Sequence, residues 1–567
     1  MKKKTISLLL LLLPLIVMAA PVTQEQAMQK ARDFLNSRPA MAKGKMLKAA
    51  RAPLKLKSAQ TGAGYYVFNV DGQQGFVVVS GDDRTIPILG YSTTGTFDAA
   101  TIPANMRAWL EDYERQISML DKYAAAKAPD TSHEAIVPLI KSTWDQMEPY
   151  NLLCPTDPST GQLSPTCCVA TSVAQVMNYY KYPETTKTTI PAYTTETLGI
   201  RVPSIPKTTI DWDNMLDSYD ESATQEQQKA VATLMKLCGA ALQVDYTSYD
   251  SEAYFYKQLT ALTKYFGYDK SMRFLERDCF RAAEWDELIY NELKEQRPVL
   301  YGGQSLGGGH SFIVDGYDTD GFFHVNWGWS GDCNGYFQLS VLDPESNEGA
   351  GASTTPDGYD FYQNALVGVC VSAAEAPAET TRLEAYYLCV DSDQREFTRM
   401  SDGSFSLPLY LAIVNPSATT RSYSIGCGVF NDNEEMVEVV SVATGRSMVY
   451  NTEFYTSVER HILSQQPDGK YTIRPVSKVK GSDVWEEAYG GYELRIEAMV
   501  DGDVLTVRNF FDFDISGTLE TTAQQPSLDG SVPIRATLTN NGPNFNQVTF
   551  PGTPIRQEAS TCPSMSI

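Results

Sequence analysis

In Ser164-Pro165-Thr166-Cys167-Cys168-Val169-Ala170-Thr171-Ser172-Val173-Ala174-Gln175-Val176-Met177-Asn178-Tyr179-Tyr180, the apolar residues Val169, Val173, Val176 and Tyr180 recur at helical spacing. Pro165-Thr166 marks the N-terminal boundary of that helix, with Thr166 the candidate cap. One cysteine then falls in the first turn. Unpaired backbone N–H groups and the helix dipole stabilise negative charge there, which favours a thiolate at Cys168. Without a base within reach, both cysteines would simply be small core residues.

Histidine is scarce enough to search by elimination: the chain has four, His133, His310, His324 and His461. His133 falls in a linker and His461 in a β-rich C-terminal region. His310 follows Gly307-Gly308-Gly309 and opens the strand Ser311-Phe312-Ile313-Val314-Asp315-Gly316-Tyr317. Glycines at that place let another backbone, such as that of a peptide substrate, approach closely. A turn at Asp318-Thr319-Asp320-Gly321 leads into Phe322-Phe323-His324-Val325-Asn326-Trp327-Gly328-Trp329. Folded as a hairpin, this brings the Asn-Trp end back beside His310. His324, mid-strand among apolar residues, reads as structural. Asn326 or Trp327 is placed to orient and shield the His310 ring. Gln146, in Trp144-Asp145-Gln146, lies 22 residues before Cys168. Its amide beside the Cys168 N–H would make a two-donor oxyanion hole.

Around this constellation lies a core-forming chain of 567 residues, 43% hydrophobic and 20% charged. Its length predicts roughly three to five domains. A net charge of −23 argues against a nucleic-acid partner or an anionic membrane surface. Lys2-Lys3-Lys4, an apolar run from Leu8 to Val17 and Met18-Ala19-Ala20-Pro21 describe a secretory signal peptide over residues 1–19, cut after Ala19. The apolar run is shorter than the ~20 residues of a bilayer span, so the mature protein is expected to be secreted, with no membrane span. The ten cysteines are scattered without a CxxC, so they are expected to be unpaired. Asp211-Trp212-Asp213 lacks EF-hand spacing, and no metal is expected.

Residues 20–134 read as a compact unit. It has helices over Thr23 to Asn36 and near Asn105 to Ala124, and a hairpin through Gly64–Val70, Asp71-Gly72 and Gly75–Ser80. The exposed-looking Ala124-Ala125-Ala126-Lys127-Ala128-Pro129 tethers it to residues 135–373, which mix helical and strand patterns. Gly349 to Gly351 reads as a loop flanking the cleft. A linker at Ala373–Glu379 precedes short alternating strands over 374–514, a β-sandwich pattern. Leu407–Asn415 is echoed by Val532–Asn540, so residues 515–567 read as a partial second sandwich or a truncated tail.

Gln146, Thr166-Cys167-Cys168-Val169-Ala170-Thr171, Gly309-His310-Ser311-Phe312 and His324-Val325-Asn326-Trp327-Gly328-Trp329 resemble the streptopain family of secreted bacterial cysteine peptidases, within the papain-like superfamily. The resemblance extends to Glu148-Pro149-Tyr150-Asn151 and Tyr362-Gln363-Asn364-Ala365, and more weakly to Gly64–Gln116. One departure is Cys167, where the family pattern usually has Gly. The resemblance implies an α+β fold: a papain-like catalytic domain with a helical half and an antiparallel sheet half, after an α+β prosegment. It implies a zymogen with Cys168 as nucleophile, His310 as general base, Gln146 as oxyanion donor, and Trp327 with Asn326 orienting His310. Gly309 and Trp329 would line the substrate cleft. Proteins or peptides would be the substrates, the prosegment an intramolecular inhibitor, and no cofactor is implied. Two other readings are an acyl transferase sharing the thioester intermediate, and an adhesin or host-protein-binding protein built on the C-terminal β region.

Overall fold

The computed structural model describes residues 22–37, 55–61, 64–118, 133–339, 363–509, 515–521 and 534–540, apart from positions 73, 84, 281, 306, 307, 373, 375, 377–380, 393, 465 and 493. The leader, the Ala124–Pro129 linker and Gly349–Gly351 lie outside the described residues.

The N-terminal unit starts with α1 (Gln24–Ser37), which buries Ala27, Ala31 and Leu35 at i, i+4 and i+8. Thr23 Oγ1 accepts from Gln26 N, and Gln26 Oε1 accepts from Thr23 N, which caps the helix reciprocally. Four antiparallel strands follow, β1 (Leu56–Thr61), β2 (Tyr65–Val70), β3 (Phe76–Ser80) and β4 (Ile88–Ser92). The hairpin read at Asp71-Gly72 is the β2–β3 turn. α2 (Ala104–Ser118) closes the unit, its described part ending at Ser118. α1 packs on one face of this sheet with Val77 and Val79, while α2 packs on the other with Val78 and Leu89.

The central region has two half-cores. The helical half holds α3 (Cys168–Tyr180), the small hairpin β5 (Tyr193–Thr194) and β6 (Arg201–Val202), α4 (Gln225–Leu242) and α5 (Lys257–Thr260). The sheet half holds β7 (Arg273–Glu276), α6 (Ala282–Lys294), β8 (Val299–Ser305), β9 (Gly308–Tyr317), β10 (Phe323–Asn326), β11 (Gly335–Phe337) and β12 (Asn364–Val367). The β9–β10 hairpin forms where the Asp-Thr-Asp-Gly turn was read.

One ten-stranded antiparallel sheet, ordered β1-β2-β3-β4-β11-β10-β9-β8-β12-β7, runs through both the N-terminal unit and the central region. The seam is the β4–β11 pair, with Tyr91 opposite Tyr336 and Gly90 opposite Phe337. α2 spans that seam: Trp109 packs against Phe312 at 5.5 Å and Trp327 at 6.2 Å between ring centroids.

Beyond residue 380 the chain is all β. Strands 384–390, 405–414 and 453–462 form one sheet, packed on a second, larger antiparallel sheet. Phe405, Leu407, Leu409 and Leu411 alternate inward along strand 405–414 and are fully buried. Strands 515–521 and 534–540 pair with each other as a separate two-stranded sheet.

The seam tolerates no side chain at Gly90, where a Cβ would stand 2.4 Å from Phe337 Cδ1. Gly90→Val is therefore expected to force β4 off β11 and cost about 1–3 kcal/mol or more. A lower denaturation midpoint for the full chain checks this; an unchanged midpoint would mean the seam yields freely.

Candidate active site

Cys168 is the first residue of α3, inside the first turn as the spacing predicted. The cap differs from expectation. Cys167 occupies the N-cap position at φ 81° and makes no side-chain cap bond. The Thr166 hydroxyl instead pairs with that of Thr171 at 2.7 Å, because Thr166 lies one residue too early to reach the helix N–H groups. Thr166 N donates to Gln146 O at 3.0 Å, which docks the Gln146 segment alongside the start of the helix.

On the sheet side, Ser311 N donates to Cys168 Sγ at 3.4 Å. His310 precedes Ser311 on β9 and stands opposite Gly303 of β8. The helix start and the histidine strand thus meet across the boundary between the half-cores. Gly309 pairs with Gln304 just before His310. Partial burial holds the His310 imidazole below its ordinary pKa. Among the described hydrogen bonds none joins its ring to Cys168 Sγ.

The register sets Asn326 opposite Ile313, so the Asn-Trp end of β10 runs toward the His310 end of β9. Asn326 makes its described hydrogen bonds elsewhere. Its Nδ2 donates to Ser142 O at 2.9 Å and its Oδ1 accepts from Gly328 N at 3.1 Å. Trp327 is buried against Phe312, and its Nε1 donates to Cys333 O at 3.0 Å. Trp329 is half-buried at the edge of the sheet-half core. Its turn is tied to the Gln146 segment, since Ser330 N donates to Trp144 O at 3.2 Å and Ser330 Oγ to Asp145 Oδ2 at 2.6 Å. His324 is structural as read: its Nδ1 lies 2.6 Å from Asp315 Oδ1, while Asp315 Oδ2 accepts from Ile140 N.

Two site residues escaped the sequence reading. Gln175, fully buried on α3, accepts at Oε1 from Ser142 Oγ, Trp144 N and Asn326 Nδ2. It braces helix, Gln146 segment and hairpin together. Its one visible signal was an amide among the apolar residues Val173, Ala174, Val176 and Met177. Asn105, at the start of α2, donates through Nδ2 to Trp327 O at 2.7 Å and Ser311 O at 3.4 Å. Nothing local in the sequence marks it, because its partners lie more than 200 positions away.

A groove of ≈ 370 Å³ opens beside Cys168 and Val169. Phe255, Phe274, Tyr254 and Tyr256 give it aromatic walls, and Glu196, Asp245, Glu252 and Glu276 make it acidic around Lys257. The adjacent thiols are held apart electrostatically. Hydrogen bonding from Cys167, aided by the Ser311 and Val169 N–H groups, draws the Cys168 thiol below its ordinary pKa. Desolvation pushes Cys167 well above it. All nine described cysteines are unpaired.

A low-pKa thiol at a helix start, facing a histidine-bearing strand of an antiparallel sheet, defines an α+β papain-like cysteine peptidase fold. Sequence comparison places it further. The Peptidase C10 family matches residues 144–337, and the Spi protease inhibitor family matches residues 19–117. The chain is 35% identical to streptopain from Streptococcus pyogenes over 335 residues, 54% of this chain and 81% of streptopain. It is 34% identical over 395 residues to the thiol protease/hemagglutinin PrtT of Porphyromonas gingivalis, covering 66% of this chain but only 44% of PrtT. A solved fragment of Prevotella intermedia prointerpain A is 31% identical, covering 56% of this chain and 99% of the fragment, with a TM-score of 0.49. The chain belongs to the peptidase C10, or streptopain, family.

The opposed thiol shifts make a prediction. A thiol ionises as pH rises through its pKa, so a lowered pKa brings reactivity in at lower pH. Near pH 7, limiting iodoacetamide is expected to label Cys168 well before Cys167 or Cys238, as read by peptide mass mapping. Preferential labelling of Cys167 would contradict the assignment.

Proposed function

We propose that the protein is an exported cysteine endopeptidase made as a zymogen. The observation that carries this is the Ser311 N–H contact to Cys168 Sγ, which sets His310 next to the nucleophile's strand contact. In the active form the Cys168 thiolate attacks the scissile carbonyl. The Gln146 amide and the Cys168 N–H receive the developing oxyanion. His310, protonated once it has taken the thiol proton, gives a proton to the leaving amine. It then deprotonates the water that hydrolyses the thioester. Trp327 shields this region, and Asn326, held by Ser142 and Gln175, fixes the hairpin end that carries Trp327. Gly309 and Trp329 border the cleft. Phe255 and Phe274 would receive an apolar side chain on the N-terminal side of the cut.

The latent state has a physical basis. Asn105 bonds backbone on both β9 and the chain just after β10, and Trp109 lies against Phe312 and Trp327. α2 therefore covers the region where the imidazole must move to reach Cys168. Maturation would cut N-terminal to His133, because His133 is already anchored to the mature region. It pairs with Glu287 at 2.8 Å and stacks on Tyr290 at 4.1 Å between centroids.

Cys168→Ala is expected to abolish both peptide hydrolysis and self-processing. If it still matured alone in dilute solution while Cys167→Ala did not, the two thiols would exchange roles. Gln146→Ala is expected to lower kcat about 10²–10³-fold, the usual loss for one oxyanion donor. Asn105→Ala should shorten the lag before self-maturation several-fold at equal zymogen concentration. A lag identical to wild type would leave Asn105 with no part in latency.

A further inference from the structure

β7 is the outermost strand of the ten-stranded sheet, yet its outer edge is occupied. The segment after sandwich strand 405–414 pairs with it. Phe274 N donates to Pro416 O at 3.0 Å, Ala418 N donates to Met272 O at 3.4 Å, and Arg273 bridges to Ser417. Side chains reinforce the junction. Glu276 N donates to Glu384 Oε1 at 3.1 Å, Arg273 donates to the Tyr489 hydroxyl at 2.8 Å, and the Tyr450 hydroxyl donates to Tyr256 O at 2.8 Å. Glu384 is 4% exposed, so this is a packed junction and not a passing touch.

The residues held from behind are also walls of the groove beside Cys168. Phe274 and Glu276 belong to β7, and Tyr256 lies in the turn that leads into α5. An edge strand and a turn have few backbone partners of their own, so their position depends on what covers them. Here the covering element is the sandwich.

Building on the peptidase reading, we propose that the C-terminal sandwich is a working part of the substrate site. Glu384 and Tyr450 act as positioning residues that hold the Glu276 and Tyr256 walls. They set the binding of extended peptides without entering the chemistry at Cys168. The sandwich is then neither a separable binding module nor a passive tail.

The test uses the full chain after self-maturation, as wild type and as Tyr450→Phe, Glu384→Ala and Glu384→Gln. Kinetics are measured on a peptide extending four residues before the cut and on a minimal single-residue acyl substrate. Tyr450→Phe and Glu384→Ala are expected to raise KM for the long peptide about 3–10-fold, the scale of one lost hydrogen bond. Their kcat should stay within about twofold, and the minimal substrate and the rate of Cys168 alkylation should be unaffected. Glu384→Gln keeps an oxygen to accept from Glu276 N–H and is expected to restore the wild-type KM. If Glu384→Ala fails to fold, Tyr450→Phe, which removes a single hydroxyl, decides. Unchanged KM for the long peptide, or equal losses on both substrates, would overturn the proposal. Complete absence of Cys168-dependent hydrolysis in the unmodified chain would instead sink the peptidase reading, and this inference with it.

Discussion

The Ser311 N–H that reaches Cys168 Sγ ties the start of the helical half to the sheet half, whose Leu300, Ile313 and Leu366 pack into the helical core. α3 belongs to the helical half, and β9 to the sheet half. Every residue assigned a chemical role lies near this boundary. The helix start supplies the thiol with unpaired N–H groups, while the strand supplies the imidazole and a backbone donor. Neither half holds a complete site, so the chemistry requires that the two cores dock in one register. Gln175 helps enforce that docking. Its buried oxygen ties the helix to Ser142, Trp144 and Asn326, and a buried amide so engaged is costly to leave unpaired.

The catalytic sheet also has an edge problem at each end, and the chain solves the two differently. At β11 the partner is β4 of the prosegment, docked through the close approach at Gly90. At β7 the partner is the sandwich segment 416–418. Unpaired strand edges attract other strands, so covering both suits a chain that must fold before it is processed.

The same arrangement suits the proposed latent state. Cys168 is drawn toward the thiolate by its neighbours, while His310 is held below its ordinary pKa by partial burial, and no described hydrogen bond joins the two. α2 lies over Phe312 and Trp327, and its Asn105 donates to the carbonyls of Ser311 on β9 and Trp327 just after β10.

The helix that begins at Cys168, the strand that carries His310 and the β9–β10 hairpin were legible in the sequence because each leaves a local mark: helical spacing, a glycine-flanked strand and a turn. The alternating sandwich strands and the β2–β3 hairpin were legible for the same reason. Thr166 was misread as a cap because a one-residue shift in a helix start changes which hydroxyl can reach an N–H. The bracing by Gln175, the anchoring of Asn105 and the junction of Glu384 and Tyr450 with the groove walls were decided by tertiary structure alone. Those contacts join residues 31 to 222 positions apart. A hydrogen bond over such a separation leaves no periodicity in the chain; it exists only once both cores have closed.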